Sequence, residues 1–151
     1  MTTVRLNDNM LTGTLPATAG MILPKLQVMM GARNRFTGPI PDVDMYGMKL
    51  HLQHWDYAEN LLTGTLPRNM ATFANLISFN VSHNPGMTGT VPTKIGLLRN
   101  LTYFGIENTG ITGTIPDVAC ELPMVQFDTD SDKDELYCCS ERCSVENWEN
   151  C

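Results

Sequence analysis

Residues Leu62-Thr63-Gly64-Thr65-Leu66-Pro67 decide how this chain is read, because near-copies of them recur along its length. Leu11-Thr12-Gly13-Thr14-Leu15-Pro16 and Phe36-Thr37-Gly38-Pro39-Ile40-Pro41 come before them. Met87-Thr88-Gly89-Thr90-Val91-Pro92 and Ile111-Thr112-Gly113-Thr114-Ile115-Pro116 come after. The glycines stand 25, 26, 25 and 24 residues apart. A step that even predicts a repeat architecture, in which each copy is one coil that buries its apolar edge only by stacking on the next.

Working outward from each Thr-Gly, the preceding residues repeat as well. The second copy reads Leu26, Met29, Gly31, Asn34; the third Leu52, Trp55, Tyr57, Asn60; the fourth Leu76, Phe79, Val81, Asn84; the fifth Leu101, Phe104, Ile106, Thr109. The first copy is clipped to Val4, Leu6 and Asn9. Period-two alternation within each copy predicts a short strand with one face buried. Trp55, Tyr57, Phe79 and Phe104 then fall on the inward face, as core rather than as a ligand cage. The polar position follows the strand, where the chain turns and its backbone groups face the interior. An Asn side chain, both donor and acceptor, can satisfy them coil after coil. Asn9, Asn34, Asn60, Asn84 and Thr109 are thus read as an internal ladder, weaker at Thr109. Thr-Gly and the apolar-Pro pair turn the chain into a return path, with a short helical turn expected over Thr93 to Asn100. Pro85-Gly86 is a one-residue insertion at a turn, where it costs little.

With its leucines, Asn ladder and Leu-Thr-Gly-x-Ile-Pro pattern, the chain over residues 1–130 resembles the plant-type leucine-rich repeats. That subclass includes receptor ectodomains, secreted inhibitors of wall-degrading enzymes and large algal repeat families. The resemblance implies an α/β repeat solenoid: an arc with a concave parallel β-sheet, short convex strand, 3-10 and helical segments, and an extra short strand after each Thr-Gly. Family members usually carry a signal peptide and a helical cap ahead of the first strand. Met1-Thr2-Thr3-Val4-Arg5 shows no basic, apolar or cleavage-site pattern of a signal peptide. The bare start leaves three readings: an internal start, a fragment of a longer protein, or a short repeat protein with an open end.

Residues 131–151 read as an acidic, Cys-rich C-terminal cap. Residues 1–116 hold eight Lys or Arg against six Asp or Glu, a balance of +2, whereas two against ten from residue 117 onward give −8. An acidic end and a body with no basic cluster argue against nucleic acid as a partner. No apolar run approaches the roughly 18 residues of a membrane span. All five cysteines, Cys120, Cys138, Cys139, Cys143 and Cys151, lie in the last 32 residues, a clustering that reads as disulfide stapling of the last coil, with the pairing left open. The sixth coil has two possible registers. Counting from Pro116 turns Val125, Asp128 and Asp130 inward, while the apolar pattern prefers Leu122, Val125 and Phe127.

Chemistry-bearing constellations are few. Asp128, Asp130, Asp132 and Asp134 alternate as in a calcium loop, but Lys133 stands where that loop needs Gly and Cys139 where it needs Glu. A zinc reading of the cysteines lacks a nearby His and any C-x-x-C pair. His51, His54 and His83 share no triad-like pattern with a nucleophile. No metal site, cofactor or catalytic site is expected.

What remains are the outward positions of the concave strands. They are Thr3, Arg5, Asn7 and Asp8; Val28, Met30, Ala32 and Arg33; His54, Asp56 and Glu59; Ser78, Asn80 and His83; and Tyr103, Glu107 and Asn108. The candidate ligand-binding set is Arg5, Val28, Met30, His54, Asp56, Ser78, Asn80, Tyr103 and Glu107. A rigid sheet presenting such side chains loses little ordering entropy on binding, which favours a protein, peptide or glycan ligand. Two sequons, Asn80-Val81-Ser82 and Asn100-Leu101-Thr102, are candidate glycosylation sites. The resulting expectation is a non-catalytic binding module at an extracellular or cell-surface location. A structural or adhesive spacer in a wall or matrix protein is the alternative. Ice binding by Thr14, Thr65, Thr90 and Thr114, interrupted at Pro39, comes third.

Overall fold

The computed structural model describes residues 1–41, 48–122 and 126–129. Within them each copy contributes a strand to each of two parallel sheets. The main sheet comprises β1 (Thr3–Arg5), β3 (Val28–Met30), β5 (His54–Asp56), β7 (Ser78–Asn80), β9 (Tyr103–Gly105) and β11 (Gln126–Asp128), hydrogen-bonded in that order. The second sheet comprises β2 (Thr12–Thr14), β4 (Arg35–Pro39), β6 (Leu61–Gly64), β8 (Gly86–Gly89) and β10 (Gly110–Ile111). Because neighbouring strands are whole coils apart in sequence, every pairing is parallel. The return paths are short helical pieces: Ala19–Ile22, Met48–Leu50, Met70–Thr72, Thr93–Leu97 and Asp117–Cys120. This is the leucine-rich-repeat solenoid, with the main sheet as its concave face.

The register follows from the apolar alternation. Val4, Met29, Trp55, Phe79, Phe104 and Phe127 are successive partners across the main sheet and all face inward. Phe127 pairing with Phe104 selects the apolar register for the last described strand, in which the Phe127 side chain packs on the core. Trp55, Phe79 and Phe104 stack at centroid separations of 6.3 and 5.6 Å, and Phe127 meets Phe104 edge-on at 5.9 Å. The second coil has Gly31 where other coils carry an apolar side chain. A Cβ there would sit 2.5 Å from Tyr57 Cε1, so the phenol ring of the third coil fills the space.

Two expectations need correction. The extra strand was expected after each Thr-Gly, yet β6 and β8 end on the glycine, while β2 and β4 run through it. In the second and third coils the chain is extended as soon as it leaves the ladder, and the ladder residue of the following coil holds it there: Leu11, just ahead of β2, Phe36 and Leu62 N–H donate to Asn34, Asn60 and Asn84 Oδ1 at 3.0, 2.9 and 2.9 Å. Second, Ala32 was grouped with the outward side chains but is 3% exposed. It lies beyond the end of β3, where its N–H donates to Asn7 Oδ1 at 3.2 Å. The acidic cap, Cys138, Cys139, Cys143 and Cys151, the Asp130 to Asp134 run and Val125 lie outside the described residues.

Candidate concave binding face

Register alone assembles the candidate side chains into two rows. Thr3, Val28, His54, Ser78, Tyr103 and Gln126 are successive partners along one, and Arg5, Met30, Asp56 and Asn80 along the next. Arg5 and Gln126 are exposed, and the others are partly exposed. The second row breaks at Gly105, the partner of Asn80. A Cβ on Gly105 would overlap Asn80 Oδ1 and would lie 2.8 Å from the Tyr103 hydroxyl and 2.9 Å from Ser82 Oγ. Three polar side-chain atoms from two coils therefore converge over one glycine. The Tyr103 hydroxyl thus lies over Gly105 of its own strand.

Part of the candidate set also serves the backbone. Asp56 Oδ1 accepts from Ala58 N–H and Asn80 Oδ1 from Ser82 N–H, each at 3.1 Å. These local bonds satisfy donors as the strand ends. Ser82, 4% exposed, accepts Glu107 N–H on Oγ at 3.2 Å, and this fixes the start of the Glu107 turn. His54, Ser78, Val28 and Met30, partly exposed on the outward side of their strands, stand as the adaptable part of the surface.

One row was visible in the sequence only as a list of outward residues. Asp8, Arg33, Glu59, His83 and Asn108 each precede a ladder position and each adopt positive φ, between 53° and 59°. Left-handed backbone is unusual for Arg, Glu and His, and it turns the chain inward so that the next residue reaches the ladder. Their side chains interact along the row. Arg33 clamps Asp8 with two nitrogens, Nη2 at 2.9 Å, and approaches Glu59 at 3.8 Å. His83 meets Asn108 at 3.1 Å and Glu107 at 3.8 Å. The Arg33 guanidinium, mainly through its hydrogen bond, holds the Asp8 carboxyl below its ordinary value, and Asp8 in turn raises Arg33. Both side chains are more than half exposed, so solvent screens the pair and it adds little stability.

Below the surface, the amides of Asn34, Asn60 and Asn84 each donate to carbonyls on two coils. Asn34 Nδ2 reaches Leu6, Gly31 and Ala32 oxygens, Asn60 those of Gly31, Tyr57 and Ala58, and Asn84 those of Tyr57, Val81 and Ser82. Asn9, at the exposed first coil, donates to Leu6 and Asn7 oxygens. The Thr109 hydroxyl donates to Ile106 O at 2.7 Å and accepts from Ile111 N–H at 3.3 Å. A small apolar pocket is lined in part by Leu52, Trp55, Met70 and Phe79, and Trp55 Nε1 is buried with no acceptor. Cys120 ends the helix Asp117–Cys120. Among the described residues no cluster of three His, Cys, Asp or Glu is placed to hold a metal ion, and no helix is long and apolar enough to cross a membrane.

Comparison with known proteins places these features in context. No family model matches the chain. Receptor like protein 21 of Arabidopsis thaliana is 32% identical over 115 residues, covering 75% of this chain. The chain spans about a tenth of the length of the relatives it matches (11% of that protein). Among solved structures, the ectodomain of the Arabidopsis thaliana membrane receptor kinase GASSHO1/SCHENGEN3, in complex with CASPARIAN STRIP INTEGRITY FACTOR 2, is 31% identical. It superposes with a TM-score of 0.75, covering 84% of this chain and 15% of that one. The ectodomain of the Arabidopsis thaliana receptor kinase SOBIR1 is 25% identical with a TM-score of 0.76, covering 88% of this chain and 70% of that one.

Proposed function

We propose that this plant-type leucine-rich-repeat protein, receptor-ectodomain-like in sequence and fold, is a non-catalytic module that binds a protein or peptide ligand on its concave sheet. The observation that carries the reading is a contrast between the two faces of the same strands. Inward, the row Val4, Met29, Trp55, Phe79, Phe104, Phe127 is apolar in every coil; outward, Thr3, Val28, His54, Ser78, Tyr103, Gln126 changes character at nearly every step. Packing requires the first pattern and does not require the second. A non-repeating strip on a rigid, regular frame is what recognition of one extended partner calls for. The receptor kinase GASSHO1/SCHENGEN3 is solved in complex with its integrity factor, and RGFR1 is a plant peptide hormone receptor solved with RGF2. Those complexes support a peptide or protein ligand here and an extracellular or cell-surface location.

The test is capture from extracellular fluid of the native source by immobilised protein. His54→Ala combined with Tyr103→Ala is expected to lower capture at least tenfold with unchanged thermal unfolding, and Arg68→Glu, outside the main sheet, to leave it intact. Equal capture by all three sinks the concave-face reading and favours a spacer.

A further inference from the structure

The two sequons occupy opposite kinds of site, and the geometry points to Asn100 as an N-glycosylated residue and to Asn80 as one that stays bare. This rests on the extracellular reading above. Asn100 is exposed in the turn between the helix Thr93–Leu97 and β9, outside both sheets. Its backbone is pinned by the next residue, Leu101, which is 0% exposed. The Asn100 Nδ2 donates to the Ala74 carbonyl at 2.9 Å, and Thr102 Oγ1, also exposed, donates to Ile77 O at 3.1 Å.

Glycosylation joins the Asn amide nitrogen to the anomeric carbon of a polyisoprenyl-diphosphate oligosaccharide. The anomeric C–O bond breaks, the diphosphate leaves with its electron pair, and nitrogen gives up one of its two protons to a base of the transferase. The proton that remains on Asn100 Nδ2 can keep the Ala74 bond, so the modified residue fits the folded turn.

Asn80 offers none of this. It lies within β7, between Asp56 and Gly105 on adjoining strands about 4.8 Å away on each side. Its Oδ1 is engaged by Ser82 N–H and shares the space over Gly105 with the Tyr103 hydroxyl, and the sequon's own Ser82 is buried with its Oγ accepting from Glu107. A glycan attached at Asn80 before folding crowds the space over Gly105 that the Tyr103 hydroxyl shares and covers the middle of the concave face. Folded, exported molecules are therefore those carrying sugar at Asn100 alone, which leaves the concave face open.

The experiment directs the full chain, fused to a secretory leader, into the medium of eukaryotic cells. The folded protein is purified and its glycans are released enzymatically in heavy-oxygen water, which tags each formerly modified Asn as Asp for peptide mass mapping. The expected result is tag at Asn100, none at Asn80, and loss of the glycan mass in Asn100→Gln. Tag at Asn80, or secreted protein bare at Asn100, overturns the assignment. Because the leader enforces export, such a failure is distinct from failure of the extracellular reading, which is checked by locating the protein in its native source.

Discussion

Asn84 accepts the Leu62 N–H of the preceding coil on Oδ1 at 2.9 Å, and its Nδ2 donates back to that coil at Tyr57 O at 3.0 Å. A single side chain, 0% exposed, thus fastens two coils at two points and ties its own turn through the Val81 and Ser82 carbonyls. Truncation to Ala leaves several buried backbone groups without partners. Asn84→Ala is expected to destabilise the fold by about 3 kcal/mol or more, read as a lower urea midpoint. Asn84→Asp, which replaces the donor by a carboxylate facing carbonyls, is expected to be worse at neutral pH. Midpoints within error of wild type contradict the ladder's role.

The Thr-Gly-Thr motif also has a contact behind it. A Cβ on Gly89, which sits at φ 92°, would lie 2.9 Å from Thr65 Cγ2 of the preceding coil. Gly89→Ala therefore meets both left-handed backbone and the threonine methyl, with an expected loss of about 2 to 3 kcal/mol. Thr65→Ser removes only the methyl, so the double variant should recover part of that loss, measured as a coupling energy by denaturant unfolding. Strict additivity removes the contact from the explanation.

Burial pushes the Tyr57 phenol up to about 12. Since an unfolded tyrosine ionises near pH 10, the native state keeps its proton where the unfolded state has lost it. The associated stability is complete below about pH 10 and is lost as pH rises towards 12. Alkaline unfolding followed by phenolate absorbance should show a component that appears only with unfolding and is missing in Tyr57→Phe.

Gly105→Ala places a methyl where Asn80 Oδ1, the Tyr103 hydroxyl and Ser82 Oγ converge. Tyr103 is expected to swing off the sheet, with a stability loss of about 1 to 3 kcal/mol from this overpacking and a change in capture of the extracellular ligand. Tyr103 ring resonances unchanged from wild type would show that the convergence does not hold the ring.

The solenoid was legible because its cause is periodic. The spacing of Leu, Asn and Gly sets the coil length, and apolar alternation sets which row faces inward, so the register from Val4 to Phe104 could be read from residue types, while that of the sixth coil stayed open between two until the pairing of Phe127 with Phe104 selected one. The placement of His54 beside Ser78 and Tyr103 followed from the same arithmetic. What stayed hidden depends on contacts between coils. In the second and third coils the second strand begins before Thr-Gly, where an Asn of the next coil grips it. Ala32 is covered although its parity places it outward, since the strand has ended by then. Arg33 clamping Asp8 and Tyr103 lying over Gly105 depend on rotamers that one-dimensional spacing does not encode.

The most direct test of concave-face recognition installs a photo-crosslinking residue at His54 in one version of the chain and at Thr63, exposed on β6 of the second sheet, in another. Each is irradiated with the extracellular peptide and protein fraction of the native source and analysed by intact mass. A discrete, saturable adduct is expected at position 54 and none at position 63. An adduct at Thr63 with none at His54, or no saturable adduct at either, contradicts recognition on the concave face.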